Sequence, residues 1–389
     1  MRKVLIGRFW LIAAILVLLG VLALLLRLFL EVADPPALVR TQQGGMEWEQ
    51  SIYGWGPAED QQFGAVYSVA VGPRGDIFAT DPSRSMILVF SRFGEYKRTI
   101  QSVGDGTQPG QFKTPASIDV DNLGRLYVAD SSARKIVVFD EDGSFIREWA
   151  VATQARGVDI GSGEVYVLGE GVIYVYDLSG TLLRQWGSRG KEPGQIDAYQ
   201  GIAVHGDRVY LADAYNKRIQ AFDTNGTLAW TNPETQTASP SFETTAITEE
   251  DISFEWELPT DITVDAAGRL VVVDPFRFQI AVLEASGGSL VDSYGDYGTA
   301  EGQFFYPTSI EFDADRDRFI VADTQNRRVQ IVTIPRSGGG NAIATALRRL
   351  EASPSRFLVI PAAVLLLVLV TALIQSWRWK RKHAIMVEE

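Results

Sequence analysis

Apolar and polar positions repeat along the chain in a fixed order: two apolar strands around a polar turn, then a Gly-containing turn and a third strand. Six copies are present: IFATDPSRSMILVFSRFGEYKRTI from Ile77, LYVADSSARKIVVFDEDGSFIREW from Leu126, VYVLGEGVIYVYDLSGTLLRQW from Val165, VYLADAYNKRIQAFDTNGTLAW from Val209, LVVVDPFRFQIAVLEASGGSLVDSY from Leu270 and FIVADTQNRRVQIV from Phe319. Their mean spacing is about 48 residues, a period that predicts the stacked blades of a propeller. Six copies therefore predict six blades.

The segment upstream of each copy carries further repeated signals. GTQPGQFKTPASIDVDNLGRLYVAD from Gly106 contains a Gly-rich loop, a large apolar residue and an additional strand, and matching segments begin at Gly190 and Gly298. This order resembles the NHL repeat over roughly residues 46–334. The resemblance implies an all-β fold, a six-bladed β-propeller of the NHL and TolB-like type. It implies little about activity, because such propellers host unrelated functions.

The sixth copy lacks an outer strand, since it ends at RRVQIVTIP. MEWEQSIYGWG, from Met46, resembles the outer strands of other copies, so we predict that residues 47–53 complete the blade of residues 319–334 and leave no exposed edge. Strands alternate in direction, so both ends of the propeller chain should lie on the face of the Asp-Gly-type turns. We call this the tethered face. The opposite, free face should carry the Gly-rich loops and the polar turns.

Two apolar runs flank the propeller. Residues 9–26 and 357–374 contain no charged side chain, and at about 1.5 Å per residue each reaches roughly 27 Å, enough to cross a membrane. Basic residues precede the first run and follow the second, which favours two spans with both termini in the cytoplasm. A cleaved signal peptide is the competing interpretation of the first run, but the small-residue cleavage pattern is missing.

The predicted organisation follows from these boundaries: a cytoplasmic N-terminus at residues 1–8, a transmembrane helix at 9–30, a linker at 31–45, the propeller at 46–335, a linker with an amphipathic helix at 336–356, a second transmembrane helix at 357–377 and a basic cytoplasmic tail at 378–389. The propeller is expected outside the plasma membrane. An insertion at residues 231–258 has seven acidic and no basic residues, and is either functional or disordered.

Charge and composition narrow the functions. Residues 46–335 contain 23 Lys and Arg against 43 Asp and Glu, a net charge of −20 that disfavours nucleic acid as a partner. The chain has no Cys, and its two histidines, His205 and His383, are expected in a tethered-face turn and in the tail. A Ser-His-Asp triad, a thiol nucleophile and a histidine zinc site are therefore excluded.

The candidate site has two parts on the free face. Alignment of the inner strands places Tyr67, Arg156, Gln200 and Asp261 at the channel mouth, with Ser68, Ser117, Thr308 and Ser309. The rim should carry Tyr215, Phe276, Arg277 and Arg327, with Phe278, Arg134 and Lys217. The recurring basic residues are either solvated features of the repeat or anchors for an acidic or planar ligand.

The recurring acids after the first strand of five copies, Asp81, Asp130, Asp213, Asp274 and Asp323, are interpreted as structural. A short carboxylate at a strand end usually accepts backbone N–H groups within the next turn.

These features favour a binding scaffold for a protein, a peptide or a glycan. The alternative is a lactonase-like, Ca²⁺-dependent hydrolase or lyase with substrate at the channel mouth. Calcium is the one cofactor considered, and Asp261 alone would be a poor site for it. A third hypothesis is a sensor subunit that acts through the membrane helices of a partner.

Overall fold

The computed structural model describes residues 45–102, 104, 106–198, 200–233 and 255–338. All of these belong to one compact unit, Arg40–Gly340. Both predicted membrane spans, the cytoplasmic tail, the amphipathic segment and residues 234–254 of the insertion lie outside the described residues. Within the described ranges, no helix has the length and apolar character needed to cross a membrane.

The described residues form strands connected by turns and loops. In chain order, the strands are β1 Glu47–Ile52, β2 Val69–Val71, β3 Ile77–Asp81, β4 Met86–Phe90, β5 Tyr96–Gln101, β6 Pro115–Val120, β7 Leu126–Asp130, β8 Lys135–Phe139, β9 Phe145–Ala150, β10 Gly157–Gly161, β11 Glu164–Leu168, β12 Ile173–Asp177, β13 Leu182–Trp186, β14 Ile202–His205, β15 Arg208–Asp213, β16 Arg218–Asp223, β17 Leu228–Asn232, β18 Asp261–Val264, β19 Arg269–Asp274, β20 Gln279–Glu284, β21 Leu290–Tyr294, β22 Pro307–Asp313, β23 Arg318–Asp323 and β24 Arg328–Thr333. Short 3₁₀ turns occur at Glu59–Gln61, Pro82–Arg84 and Ala214–Asn216.

These strands form six antiparallel four-stranded sheets, which confirms the predicted six-bladed propeller. Blades 1 to 5 each use four consecutive strands, beginning with β2, β6, β10, β14 and β18 at the axis. Neighbouring inner strands contact one another around the ring, and β22 of blade 6 contacts β2 of blade 1. The first strand of each blade therefore lines the central channel.

Blade 6 is completed by the N-terminal strand, as predicted. Its strand order is β22-β23-β24-β1, and β1 pairs with β24 from Glu47 opposite Thr333 to Ile52 opposite Val329. A Cβ added to Gly45 would lie 3.2 Å from Pro335, so the chain enters and leaves the propeller at neighbouring points on the tethered face.

Apolar side chains pack between blades, and this explains the sequence pattern of the middle strands. Each middle strand is covered on both faces, so β7, β8, β19 and β23 are buried throughout. In β23, Phe319 and Val321 join the cluster shared with blade 5, whereas Ile320 and Ala322 join the cluster shared with blade 1. Successive strand residues point to opposite faces, so one run of apolar residues serves two interfaces.

The recurring acids have a structural role, as interpreted from the sequence. Asp130 is fully buried and accepts the backbone N–H of Lys113 at 2.7 Å, of Thr114 at 3.1 Å and of Ala133 at 3.1 Å. Asp81, Asp213, Asp274 and Asp323 are also fully buried and bond the loop that precedes their inner strand. From the sequence we expected these acids to bond only the turn that follows them. They also bond the loop before the inner strand, because that loop returns to the same end of the blade.

Candidate functional site

The central channel contains a cavity of about 220 Å³ lined mainly by the inner strands. Four of its lining residues, which we call the channel carboxylates, are Asp119, Asp159, Asp261 and Glu311. Asp119, Asp159 and Glu311 occupy matching positions on β6, β10 and β22. Asp261, on β18, is set two residues closer to the free face.

Three of the channel carboxylates bond the next blade. Asp119 accepts the N–H of Ile160 at 2.7 Å, and Asp159 accepts that of Val204 at 2.8 Å. Asp261 accepts the N–H of Ile310 at 3.1 Å. These bonds satisfy backbone groups on strands that have no further strand beside them at the axis.

Burial shifts the ionisation of this group. Desolvation raises the pKa of Asp261 to about 7 and the pKa of Asp119 to about 6, although bonds from backbone N–H groups act in the opposite direction. Desolvation followed by repulsion from Asp119 also raises the pKa values of Asp159 and Glu311 well above their ordinary range. Burial and mutual repulsion thus both favour the protonated form of these carboxyls.

The channel is blocked towards the free face by Gln200. This side chain is 3% exposed, and its Nε2 donates to the carbonyl oxygen of Thr308, two blades away, at 2.7 Å. The channel carboxylates are all partly exposed, but His205, which lines the other end of the cavity, is fully in the exposed class. The cavity therefore opens towards the tethered face.

His205 requires a correction. The sequence placed it in a tethered-face turn and out of reach of the channel. It is instead the exposed last residue of β14, and it lines the tethered-face end of the cavity. The turn after β14 is shorter than expected, because the strand itself extends to His205.

The structure places only some of the predicted mouth residues in the channel. Gln200 and Asp261 line the channel cavity, whereas Tyr67 and Arg156 are not among its lining residues. The carbonyl oxygen of Tyr67 accepts the hydroxyl of Thr308 at 2.7 Å. Arg156 lies 3.6 Å from the carboxylate of Glu170, so it is directed towards the rim of its own blade.

The predicted rim residues lie beside an aromatic cluster on the free face. We call this cluster the aromatic patch; it consists of Phe276, Phe278, Tyr297, Phe305 and Tyr306. Ring centroids are 5.5 Å apart for Phe276 and Tyr306, 4.9 Å for Phe278 and Tyr297, and 5.3 Å for Tyr297 and Phe305, mostly edge to face. Phe276 is 56% exposed and Tyr297 59% exposed, so the patch is accessible to another molecule.

The arginines beside the patch differ in their positions. Arg327 is exposed, and its turn adjoins the patch because the N–H of Gln325 donates to the carbonyl oxygen of Phe305 at 3.1 Å. Arg277 is partly exposed and donates to the carbonyl oxygen of Glu255 at 2.6 Å.

The sequence analysis treated Arg277 as the equivalent of Arg134, Lys217 and Arg327. The backbone conformation shows that it does not occupy the equivalent position. Arg134, Lys217 and Arg327 share a left-handed conformation with φ between 53° and 54°, and Phe278 holds that position in blade 5 with φ of 57°. The turn of blade 5 therefore exchanges the basic residue for an aromatic one.

Tyr215 is 51% exposed in the corresponding turn of blade 4, where its N–H donates to the carbonyl oxygen of Asp197 at 3.1 Å. Lys217 in the same turn forms an ion pair with Glu257 at 2.9 Å. Both residues lie on the free face as predicted, in the blade next to Phe276.

Sequence analysis missed two groups of residues. Asp119 and Glu311 follow the mouth residues Ser117 and Ser309 by two positions, and Asp159 occupies the matching position of its blade, so extending the alignment along the strands would have found all three. Phe305 and Tyr306 replace the Lys113 and Thr114 of the equivalent loop in blade 2. That replacement was the available signal for the patch.

The calcium hypothesis gains no support from the geometry. Among the described residues, no group of three or more His, Asp or Glu side chains is arranged to hold a metal ion. The channel carboxylates line one cavity, but three of them are directed at backbone N–H groups of the next blade.

The fold and its channel define a six-bladed β-propeller of repeated sequence units, and a family model described as a 6-bladed beta-propeller matches residues 58–182. The chain is similar to NHL repeat-containing protein 3 of Homo sapiens, at 26% identity over 253 residues, and to that of Mus musculus, at 25% over 244 residues. The matches cover 58% and 57% of this chain and 66% and 65% of those proteins, just under two thirds of their length.

Among solved structures, a streptogramin B lyase matches with a TM-score of 0.50 at 15% identity, over 74% of this chain and 98% of the other. At that identity the likeness shows the fold alone.

Proposed function

We propose that this chain is a membrane-anchored, extracytoplasmic NHL propeller that binds a protein partner through the aromatic patch on its free face. The observation that carries the proposal is the exposure of Phe276, whose ring packs on Tyr306, and of Tyr297, whose ring packs on Phe278 and Phe305. Exposed apolar patches of this kind mark interaction sites, and aromatic and arginine side chains dominate binding energy at protein interfaces.

Backbone strain at the patch supports a role in binding. Tyr306 has φ of 61° immediately before Pro307, although bulky residues and residues before proline both disfavour such a conformation. Strain of this kind costs on the order of 1 to 3 kcal/mol and is concentrated at functional sites. It holds the Tyr306 ring against that of Phe276.

A protein fits the patch better than a glycan does. The rings present apolar edges and faces, and the exposed Arg327 belongs to the turn that adjoins them. A partner with apolar side chains and a nearby carboxylate would satisfy both features. A glycan would need hydrogen-bonding groups spread between the rings.

Membrane anchoring rests on the sequence alone. The apolar runs at residues 9–26 and 357–374 and their basic flanks support two spans. The chain enters and leaves the propeller on the tethered face, opposite the aromatic patch.

The proposal predicts that patch variants lose the partner without losing the fold. The tagged full-length protein should co-purify from its own membranes with a discrete partner. Arg327→Glu and Phe276→Ala should each reduce the recovered partner at least tenfold, since a residue of this importance contributes about 2 kcal/mol or more. The melting temperature should stay unchanged, because both side chains are exposed.

Arg134→Glu is the matched control. Arg134 is exposed and has the same backbone conformation as Arg327, but it belongs to blade 2. Partner recovery should be retained in this variant. Equal recovery in all three variants would exclude the patch as the binding surface.

A further inference from the structure

One exposed turn of the propeller carries the sequence of an asparagine glycosylation site. Such a site needs Ser or Thr two residues after the asparagine and a residue other than Pro between them. The chain has six asparagines, and among them Asn225, in Asn225-Gly226-Thr227, is the one that meets this requirement. Both Asn225 and Thr227 are exposed, in the turn between β16 and β17 of blade 4. The motif is therefore accessible from solvent.

The shape of this turn does not require an asparagine. The carboxylate of Asp223 accepts the N–H of Asn225 at 2.9 Å and that of Thr227 at 2.8 Å. The equivalent turns of blades 2 and 3 have the same bonds, yet they hold Asp142 and Ser179 at the position of Asn225. A glycine and then Ser or Thr follow in all three turns. The turn thus accounts for the glycine and the hydroxyl residue but leaves the asparagine unexplained.

The side chain of Asn225 has no structural partner either. The hydroxyl of Ser179, at the equivalent position, donates to the carboxylate of Asp177 at 2.6 Å. The amide group of the Asn225 side chain forms no hydrogen bond with any residue in the described part of the chain. A sugar joined to its Nδ2 would therefore break no contact of the folded propeller.

The backbone beneath this side chain is fixed against the neighbouring blade. Nε of Arg184, on β13 of blade 3, donates to the carbonyl oxygen of Thr224 at 3.1 Å. A Cβ added to Gly226 would lie 2.5 Å from the ring of Trp186, and Gly226 has φ of 90°. Glycine is therefore needed in the middle of the motif, and a sugar on Asn225 would project from a rigid base.

We propose that Asn225 is an N-glycosylation site. In the transfer, Nδ2 of Asn225 forms a bond to the anomeric carbon of a sugar carried on a lipid diphosphate. The bond between that carbon and the phosphate oxygen breaks, the diphosphate leaves with its lipid, and one proton leaves Nδ2. Asparagines of exported segments are modified in this way, so the site rests on the extracytoplasmic location proposed above.

A second reaction is open to an asparagine before glycine, namely deamidation. The backbone nitrogen of Gly226 would attack the side-chain carbonyl carbon of Asn225 and release ammonia. In this turn, the N–H of Gly226 donates to the carbonyl oxygen of Asp223 at 3.0 Å, which engages that nitrogen in the turn. Deamidation does not involve Thr227, and this difference separates the two reactions experimentally.

The test is mass spectrometry of the full-length protein isolated from its own membranes. Trypsin should release residues 219–269 as one peptide, because no Lys or Arg lies between Arg218 and Arg269. We expect this peptide to carry the mass of one or more sugar residues. Asn225→Gln should lose that mass completely and should remain folded, since the side chain has no partner within the described propeller.

Variants of the hydroxyl residue identify the reaction. Thr227→Ala should also lose the sugar, although the backbone bond to Asp223 is kept, whereas Thr227→Ser should retain it. Ser179→Asn places the same motif in the equivalent turn of blade 3 and should add a second modified site. Asn122 is the matched control: it is exposed in a turn of blade 2, but Gly124 stands two residues after it, so it should stay unmodified.

An unmodified or merely deamidated peptide would overturn the proposal, and so would a sugar that Thr227→Ala retains. The extracytoplasmic location is checked separately by reaction of Leu183→Cys with a membrane-impermeant maleimide in sealed cells. If that cysteine reacts while Asn225 carries no sugar, the glycosylation site is wrong and the location stands. If the cysteine does not react and Asn225 carries no sugar, both are wrong.

Discussion

Single side chains on or next to the inner strands bond the neighbouring blade at several of the blade interfaces. Ser68 accepts the N–H of Ile118 at 3.2 Å, and Ser117 accepts that of Val158 at 3.1 Å. Asp261 makes the equivalent bond to Ile310 in blade 6. In blade 3, where Gly157 replaces the serine, Asp159 bonds Val204 of blade 4. In blade 2, Asp119 adds a bond to Ile160 beside the bond of Ser117. The channel carboxylates thus have a structural role as well as a distinct chemistry.

The raised pKa of Asp261 predicts a pH-dependent stability. Because burial raises this pKa from 3.8 to about 7, the folded state holds the proton more tightly than the unfolded state. Stability should therefore fall as the pH rises from about 4 to 7, and ionisation of Asp261 costs at most about 4 kcal/mol, less where water reaches the group. Asp261→Asn removes the charge and keeps an acceptor for Ile310.

Urea unfolding at two pH values checks this. Asp261→Asn should be more stable than the unaltered protein at pH 8 and close to it at pH 4. A variant that is less stable at pH 8 would show that the ionised carboxylate stabilises the channel.

At the level of elements, β1 is the strand on which ring closure depends. It supplies the outer strand of blade 6 and places Ile52 in the cluster between blades 6 and 1. Beyond β1, the hydroxyl of Tyr53 donates to Glu301 at 2.9 Å, and Glu301 also pairs with the buried Arg328 at 3.3 Å. Side-chain and backbone bonds together attach this strand.

Deletion of residues 46–53 should destabilise the propeller. The deletion exposes the edge of β24 and opens the cluster around Ile52, so we expect aggregation or a fall in melting temperature on the order of 10 °C or more. Deletion of residues 1–30 is the control, because it leaves every described contact intact. Equal melting of the two shortened proteins would contradict a closing role for β1.

At the scale of the whole molecule, the propeller presents a different chemistry on each face. The tethered face carries both ends of the propeller chain and the open end of the acidic channel. The free face is closed at the axis by Gln200 and carries the aromatic patch off-centre, over blades 5 and 6.

The repeat made most of this architecture predictable. The spacing of the copies, the missing sixth outer strand and the spare strand at Met46 together determined six blades and their closure, because each depends on local sequence order. The site was less predictable. Side chains from blades far apart in sequence converge at the axis, so Asp159 and Glu311 look unrelated until their strands are superimposed. The patch depends on the left-handed turns at Phe278 and Tyr306, which the residue types disfavour.

Protection of a single cysteine tests partner binding on the free face most directly. The chain has no cysteine, so one introduced thiol gives an unambiguous label. Gln325→Cys reports on the exposed turn beside the patch. Leu183→Cys reports on the outer strand of blade 3, where Leu183 is 48% exposed. Glu389→Cys reports on the C-terminus. Rates of reaction with a membrane-impermeant maleimide are compared between sealed cells and purified protein.

In purified protein, the cysteines at 325 and 183 should react at similar rates. In sealed cells, the cysteine at 183 should react at the same rate as in purified protein. The cysteine at 325 should react at least fivefold more slowly, because the partner covers it. The cysteine at 389 should not react until the cells are opened. A cysteine at 325 that reacts as fast in cells as in purified protein would show that the free face is unoccupied and would contradict binding at the aromatic patch.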